Sequence, residues 1–285
     1  MPKVLIPKVT DLGEFSVSRV LPNPAQRMVG PFVFFDHMGP VKFDAGDGVN
    51  VRPHPHIGLA TVTYLLEGRI LHRDSLGNCL EICPGDVNWM VAGRGVTHSE
   101  RESIEVRSRP HALNGLQCWV ALPPEHAEVA PSFRHVEHND LPHKIVNEVT
   151  IRLVVGEAYG LQAPIETFSP MFMVDILAGK GEHIERPNPD HECLVYVAEG
   201  GINVDGVVVG EGATAMLPPQ ATITVLRYSR LILLGGEAWS DAPHLEWNFV
   251  SFDRDRIEQA KHDWRTGEFP TVIGDADEFI PLPED

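Results

Sequence analysis

Cysteine is scarce in this chain: Cys79, Cys83, Cys118 and Cys193 are the four in 285 residues. They are too few and too scattered for a disulfide framework in a protein of this length, and they are expected as buried or half-buried thiols. Basic residues are also in short supply, with 23 Lys plus Arg against 40 Asp plus Glu and a formal charge of −17. Such a surface repels phosphate backbones and anionic lipid, which argues against direct nucleic-acid binding and against a membrane partner. No stretch approaches the roughly 18 apolar residues of a membrane-crossing helix, and Met1 to Val9 lacks the apolar core of a signal peptide. The expectation is a soluble, cytoplasmic protein, with the nucleus open to a eukaryotic version.

What the chain does have is 43% hydrophobic residues, 22% charged ones, 24 Pro and 25 Gly. A length of 285 residues can bury one large core or two ordinary ones. Short apolar runs punctuated by Pro and Gly favour strands joined by turns, so the fold is expected to be all-β. Between 51 and about 125 the pattern reads Leu59–Leu66, Arg69–Asp74, a turn at Ser75–Asn78, Leu80–Cys83, Val87–Val91 and Leu116–Leu122, consistent with a jelly-roll barrel. Residues 1–50 read as short strands broken by Pro22, Pro24, Pro31 and Pro40. Tyr64-Leu65-Leu66-Glu67-Gly68 is echoed by Tyr196-Val197-Ala198-Glu199-Gly200, which suggests a second copy of the same barrel. The division expected is 1–135 and 136–285, the second part ending in a short helix over Asp253–Arg265 with Asp253 as cap and Ile257, Ala260, Lys261 and Trp264 at helical spacing.

The chemistry concentrates in Arg52-Pro53-His54-Pro55-His56-Ile57-Gly58, answered by Gly93-Arg94-Gly95-Val96-Thr97-His98-Ser99-Glu100. From His56 onward β-branched residues predict a strand running to the turn at Glu67-Gly68. Residues i and i+2 of a strand share a face, which pairs His54 with His56 and His98 with Glu100. Three imidazoles and one carboxylate then converge on one metal ion. With 14 His in the chain, His-x-Glu also occurs at 126/128, 135/137, 183/185 and 244/246, so neither pair is informative without its glycine framework. Neutral imidazoles with one carboxylate suit a borderline divalent metal (Fe, Mn, Ni, Co or Cu) and leave positions open for water, dioxygen or a chelating substrate. The repeat sets Arg186 opposite His54 and Asn188 opposite His56, and past Leu217 comes Pro218-Pro219-Gln220 with no His-x-Glu in the place that answers His98 and Glu100, so the second barrel is expected to hold no metal.

The framework Gly48-x5-His54-x-His56-x4-Thr61-x6-Gly68 has the spacing of the first cupin motif, with Thr61 in place of its usual glutamate. Gly95-x2-His98 keeps part of the second motif, and the acid has moved to Glu100. That relocation, with Arg52–Gly58, Ala92–Glu100 and Val29–His37, closely resembles the pirin family over nearly the whole length. The resemblance implies two tandem cupin barrels, iron as the metal, and oxygen-dependent cleavage of flavonols such as quercetin, with Glu100 accepting the substrate's hydroxyl proton. It also places Arg52, Arg94 and Gln117 around the metal or at the edge of a substrate pocket. Other pirins are iron-dependent regulators that bind a protein partner, which is the alternative the resemblance implies.

Overall fold

In the computed structural model, all residues except Met1, Leu12, Glu14 and Asp285 are described. The chain is built almost wholly from strands, arranged as two jelly-roll barrels, each with a larger and a smaller sheet. In the first barrel the larger sheet contains, in order, Val87–Val91, Leu59–Glu67, His111–Ala121 and Phe32–Phe43. Its smaller sheet runs Asn50–His56, Val96–Arg101, Ile70–Asp74, Cys79–Ile82. The second barrel repeats both, with Thr214–Met216, Glu192–Glu199, Ser229–Gly236 and Met171–Ala178 in one sheet and His183–Glu185, Thr222–Val225, Gly201–Val204 and Val207–Gly210 in the other. The echo of Tyr64 in Tyr196 therefore marks equivalent strands, and both rings are fully buried.

Alternation makes the cores. Val149, Ile151 and Leu153 on one strand, and Phe172, Val174, Ile176 and Ala178 on its neighbour, send every second side chain into one apolar cluster. The first barrel closes a smaller cluster of Phe15, Val17, Met38, Phe43, Val49, Leu65, Ile70, Ile82 and Leu113. Each fully buried Val, Leu, Ile or Phe contributes about 1.5–3 kcal/mol, so these clusters hold the barrels closed without help from a bound ion.

Four details differ from the sequence reading. The single strand expected from His56 is two strands, Asn50–His56 in the smaller sheet and Leu59–Glu67 in the larger. The chain changes sheet at Gly58, where φ is +66° and a Cβ would lie 2.0 Å from the Val250 carbonyl oxygen, a position only glycine can fill. Pro53 and Pro55 fit because Asn50–His56 is the edge strand of its sheet. Pro40 does not end a strand, since Phe32–Phe43 runs through it, and the strand expected at Leu116 begins at His111. Cys79 is exposed, while Cys83 is half-buried and Cys118 and Cys193 are buried, all as free thiols.

The two compact units change over at His135 and Val136, but neither is one continuous run of the chain. Asp241–Asp285 groups with Asp36–His135, while Met1–Val9 and Ser18–Phe35 group with Val136–Ser240. Backbone pairing is the reason: Lys3–Leu5 adds a strand beside Thr214–Met216, and Val250 N–H donates to Ile57 C=O at 3.1 Å. The helix Arg254–Thr266 consequently packs with the first barrel, burying Ile257, Ala260 and Lys261. Asp253 caps it by accepting from the Asp255 N–H, and Gly267 ends it in the left-handed conformation at φ 77°. Among the described residues no helix is long and apolar enough to cross a membrane.

Candidate metal centre

Three neighbouring strands of the smaller first sheet carry the site. His98 on Val96–Arg101 stands across from His54 on one side and Asp74 on the other, and Glu100 stands across from His72. Cross-strand partners share a face, so His54, His56, His72, Asp74, His98 and Glu100 all point into the barrel, and all are buried. His54, His56 and His98 bring one ring nitrogen each within 4.8 Å of the others; His72, His98 and Glu100 form a second such group sharing His98. The four residues expected as one ligand set are thus arranged as a trio of imidazoles with Glu100 joined to it through His98.

Tautomers follow from the hydrogen bonds. His54 Nδ1 lies 2.9 Å from the Arg52 carbonyl and His56 Nδ1 lies 3.0 Å from that of Asn248. A carbonyl only accepts, so in each ring Nδ1 carries the proton and Nε2 presents a lone pair. His56 Nε2 is 3.1 Å from His98 Nε2, and His98 Nδ1 is buried without a partner. Two nitrogens bound at about 2.1 Å and at a right angle on one ion lie about 3.0 Å apart, so the spacing fits a cation that receives both lone pairs. Burial holds His54 down at about 4, with the neighbouring His72 charge acting the same way against the Arg52 bond. Burial and the other imidazoles likewise keep His56 and His98 well below the ordinary histidine range. All three are neutral at pH 7 and ready to ligate without losing a proton.

Glu100 is pushed up from the usual carboxylate range by burial, against the opposing pull of His72 and of hydrogen bonds from Thr63 and Gln117. Gln117 Nε2 donates to its Oε2 at 2.8 Å, and the Thr63 hydroxyl lies 3.0 Å from its Oε1 and 2.7 Å from Gln117 Oε1. Gln117 is thus hydrogen-bonded to Glu100. Arg52 contributes its backbone carbonyl, and Arg94 is exposed, its carbonyl accepting from Arg256. The glycines around Arg94 serve the turn instead: a Cβ on Gly93, at φ +50°, would lie 2.0 Å from the Val129 carbonyl oxygen.

Other contributors escaped the sequence reading. His72 bonds Asp74 through Nε2 at 3.1 Å and stacks on Phe133 with ring centroids 4.5 Å apart. Its signal was present in the alternation of Ile70–Asp74, which puts His72 and Asp74 on one face. Asn248 acts through its carbonyl, which every residue possesses, so no side-chain pattern announces it. Trp119 meets the His56 ring edge-on at 5.1 Å and seals that side. A cavity of about 350 Å³ is lined by Pro53 and Thr97, the neighbours of His54 and His98 that alternate to the opposite face, together with residues 264–279.

Known proteins resemble this chain in sequence and fold. The Pirin family profile matches residues 14–120, and that of the Pirin C-terminal cupin domain matches 173–270. A pirin-like protein of Caulobacter vibrioides is 47% identical over 279 residues, covering 96% of either chain. A Pseudomonas aeruginosa protein provisionally named a quercetin 2,3-dioxygenase is 37% identical, over 90% of this chain and 81% of the relative. The structure of a quercetin 2,3-dioxygenase from Acinetobacter baumannii superposes with a TM-score of 0.92 at 30% identity, covering 100% of this chain and 95% of that one. With both profiles matched in order, a relative identical at nearly half its positions, and the histidine trio seated where the first profile falls, this chain belongs to the pirin family.

Proposed function

We propose that this protein is a non-haem metal dioxygenase that opens a flavonol such as quercetin with dioxygen, using ferrous iron held by His54, His56, His98 and Glu100. The observation that carries the reading is the trio of buried, neutral imidazoles converging beside one carboxylate. Likeness to a solved quercetin 2,3-dioxygenase supports the substrate class. When bound, iron would supply a Lewis acid for the flavonol oxygen and open positions for exogenous ligands.

The protein's own part is positioning and proton transfer. Arg52 and Asn248 carbonyls fix the tautomers of His54 and His56, and Asp74 fixes the ring of His72. Thr63 has a single hydroxyl proton and lies nearer Gln117 Oε1 than Glu100 Oε1. That leaves Glu100 Oε1 as the oxygen to take the flavonol hydroxyl proton, while Gln117 holds Oε2. Burial strengthens the base, because a carboxylate in a dry site holds a proton more tightly than one in water. Trp119 and Phe133 keep competing water from the imidazoles.

The test is oxygen consumption by anaerobically iron-loaded protein on adding quercetin under air, with loss of the flavonol absorbance and release of carbon monoxide. Turnover should follow iron content. Fully loaded protein that consumes no oxygen with any flavonol would overturn the enzymatic reading.

A further inference from the structure

The inward face of the first barrel's larger sheet carries a row of polar side chains that the proposed chemistry uses only in part. On three adjacent strands Asn88 stands directly across from Thr63, and Thr63 directly across from Gln117. Such partners share a face, with Cβ atoms about 4.5–5.5 Å apart. Thr63 and Gln117 both bond Glu100, so Asn88 faces the same interior one strand further along. In the second barrel the matching strands form the row Ala215, Val195 and Leu233, all fully buried in the apolar cluster. A jelly roll therefore closes without polar groups in this row, and the fold does not require Asn88.

The Asn88 amide is buried and held one way round. Its Oδ1 lies 2.8 Å from His135 Nδ1, and since a carbonyl only accepts, the histidine donates. The other His135 nitrogen lies 3.8 Å from Asp86 Oδ2. With Oδ1 engaged, Asn88 presents Nδ2 as a pure donor, and Nδ2 is buried without a partner. A buried donor left unpaired costs about 1–3 kcal/mol, which an arriving acceptor removes. Gln117 and His135 flank the row and are half-buried, so a ligand entering past either meets Asn88.

We propose that Asn88 recognises the substrate, its amide donating to the ring carbonyl that neighbours the flavonol hydroxyl deprotonated by Glu100. The inference rests on the flavonol reading of the site. Glu100 Oε1 lies 3.0 Å from the Thr63 hydroxyl and Asn88 is the next residue along the row, so a base and a donor adjoin, as a hydroxyl and a carbonyl do on the flavonol ring. A ligand without that acceptor leaves the donor buried and unpaired, which is how a site built on one hydrogen bond discriminates.

The test is anaerobic titration of the iron-loaded full chain with quercetin and with 3-hydroxyflavone, followed by the flavonol absorbance. The second probe keeps the carbonyl and its neighbouring hydroxyl and lacks the other hydroxyls. Asn88→Leu removes donor and acceptor together, whereas Asn88→Asp removes the donor and keeps the acceptor that His135 uses. Both variants should bind both flavonols about 10-fold more weakly than wild type, with iron content unchanged. Under air the loss should fall on KM more than on kcat, because the bond is made in the ground state and the transition state alike. Wild-type binding by Asn88→Asp would make Asn88 a seat for His135 and overturn the inference. So would weakening confined to quercetin, which assigns the donor to a different hydroxyl, or no flavonol binding by the wild type. Binding that depends on Asn88 without oxygen consumption under air overturns the dioxygenase reading and leaves the inference standing.

Discussion

The two smaller sheets have the same strand order and opposite interiors. In the first barrel, strands Asn50–His56, Val96–Arg101 and Ile70–Asp74 point His54, His56, His98, Glu100, His72 and Asp74 inward. In the second, the matching strands His183–Glu185, Thr222–Val225 and Gly201–Val204 point Ile184, Ile223, Val225, Ile202 and Val204 inward, each buried. Among the described residues, both groups able to hold a metal lie in the first barrel. The lesson is that the jelly roll needs only an inward face that is dry and filled. One copy fills it with Ile and Val at no electrostatic cost, and the other carries a cluster of desolvated imidazoles whose neutrality is the condition for binding an ion.

The largest effect expected is on metal content. His56→Ala should take tightly bound metal from one equivalent per chain to near none by elemental analysis, without unfolding, whereas Ile223→Val at the matching sheet should leave it at one. Two equivalents in the wild type would break the comparison. Next is Glu100→His, which keeps a ligand but removes an anionic base. Iron should be retained and flavonol turnover should fall about 10² to 10⁴-fold, the usual loss for a general base. Turnover equal to wild type would leave Glu100 as a ligand only.

Where the barrels are alike, they should respond alike. Tyr64→Ala and Tyr196→Ala each empty a fully buried ring site and should each destabilise by about 3–5 kcal/mol in denaturant titrations. Gln117→Ala should act more gently, lowering metal affinity or turnover about 10-fold, because it releases Glu100 Oε2 and frees the Thr63 hydroxyl to turn to Glu100 Oε1. The smallest effect concerns the C-terminal segment on the first barrel. Arg101 donates to Asp275 at 2.7 Å and 2.9 Å, and although burial acts the other way, these bonds hold the Asp275 carboxyl below its usual range. A depressed folded-state pKa adds stability that is complete above the unfolded value near 4 and lost as pH falls through the folded one. Asp275→Asn should therefore cost about 1 kcal/mol at pH 7 and progressively less as pH falls below about 4, measured by paired melts.

Much of the site could be read from residue order, because a strand's period of two and a glycine framework are local properties. His54, His56, His98 and Glu100 were legible as inward-facing pairs, and Gln117 through its matching place in the family. Arg94, expected near the metal or at a pocket edge, is exposed, and proximity in sequence does not set which way a turn residue points. His72 was overlooked because a lone His-x-Asp carries meaning only once its strand is paired with the one bearing Glu100.

The sequence by itself determined the all-β class, the repeated barrel, the capped helix and the pairing of His54 with His56 and of His98 with Glu100 on shared strand faces, since alternation, turn chemistry and capping act over a few neighbouring positions. Tertiary structure alone decided which barrel receives the helix Arg254–Thr266, that the Asn248 carbonyl orients His56, and that Lys3–Leu5 completes the second barrel's sheet. Those contacts join backbone groups from distant parts of the chain. Every residue carries the same N–H and C=O, so their pairing is set by how the sheets close and leaves no mark in the side-chain pattern.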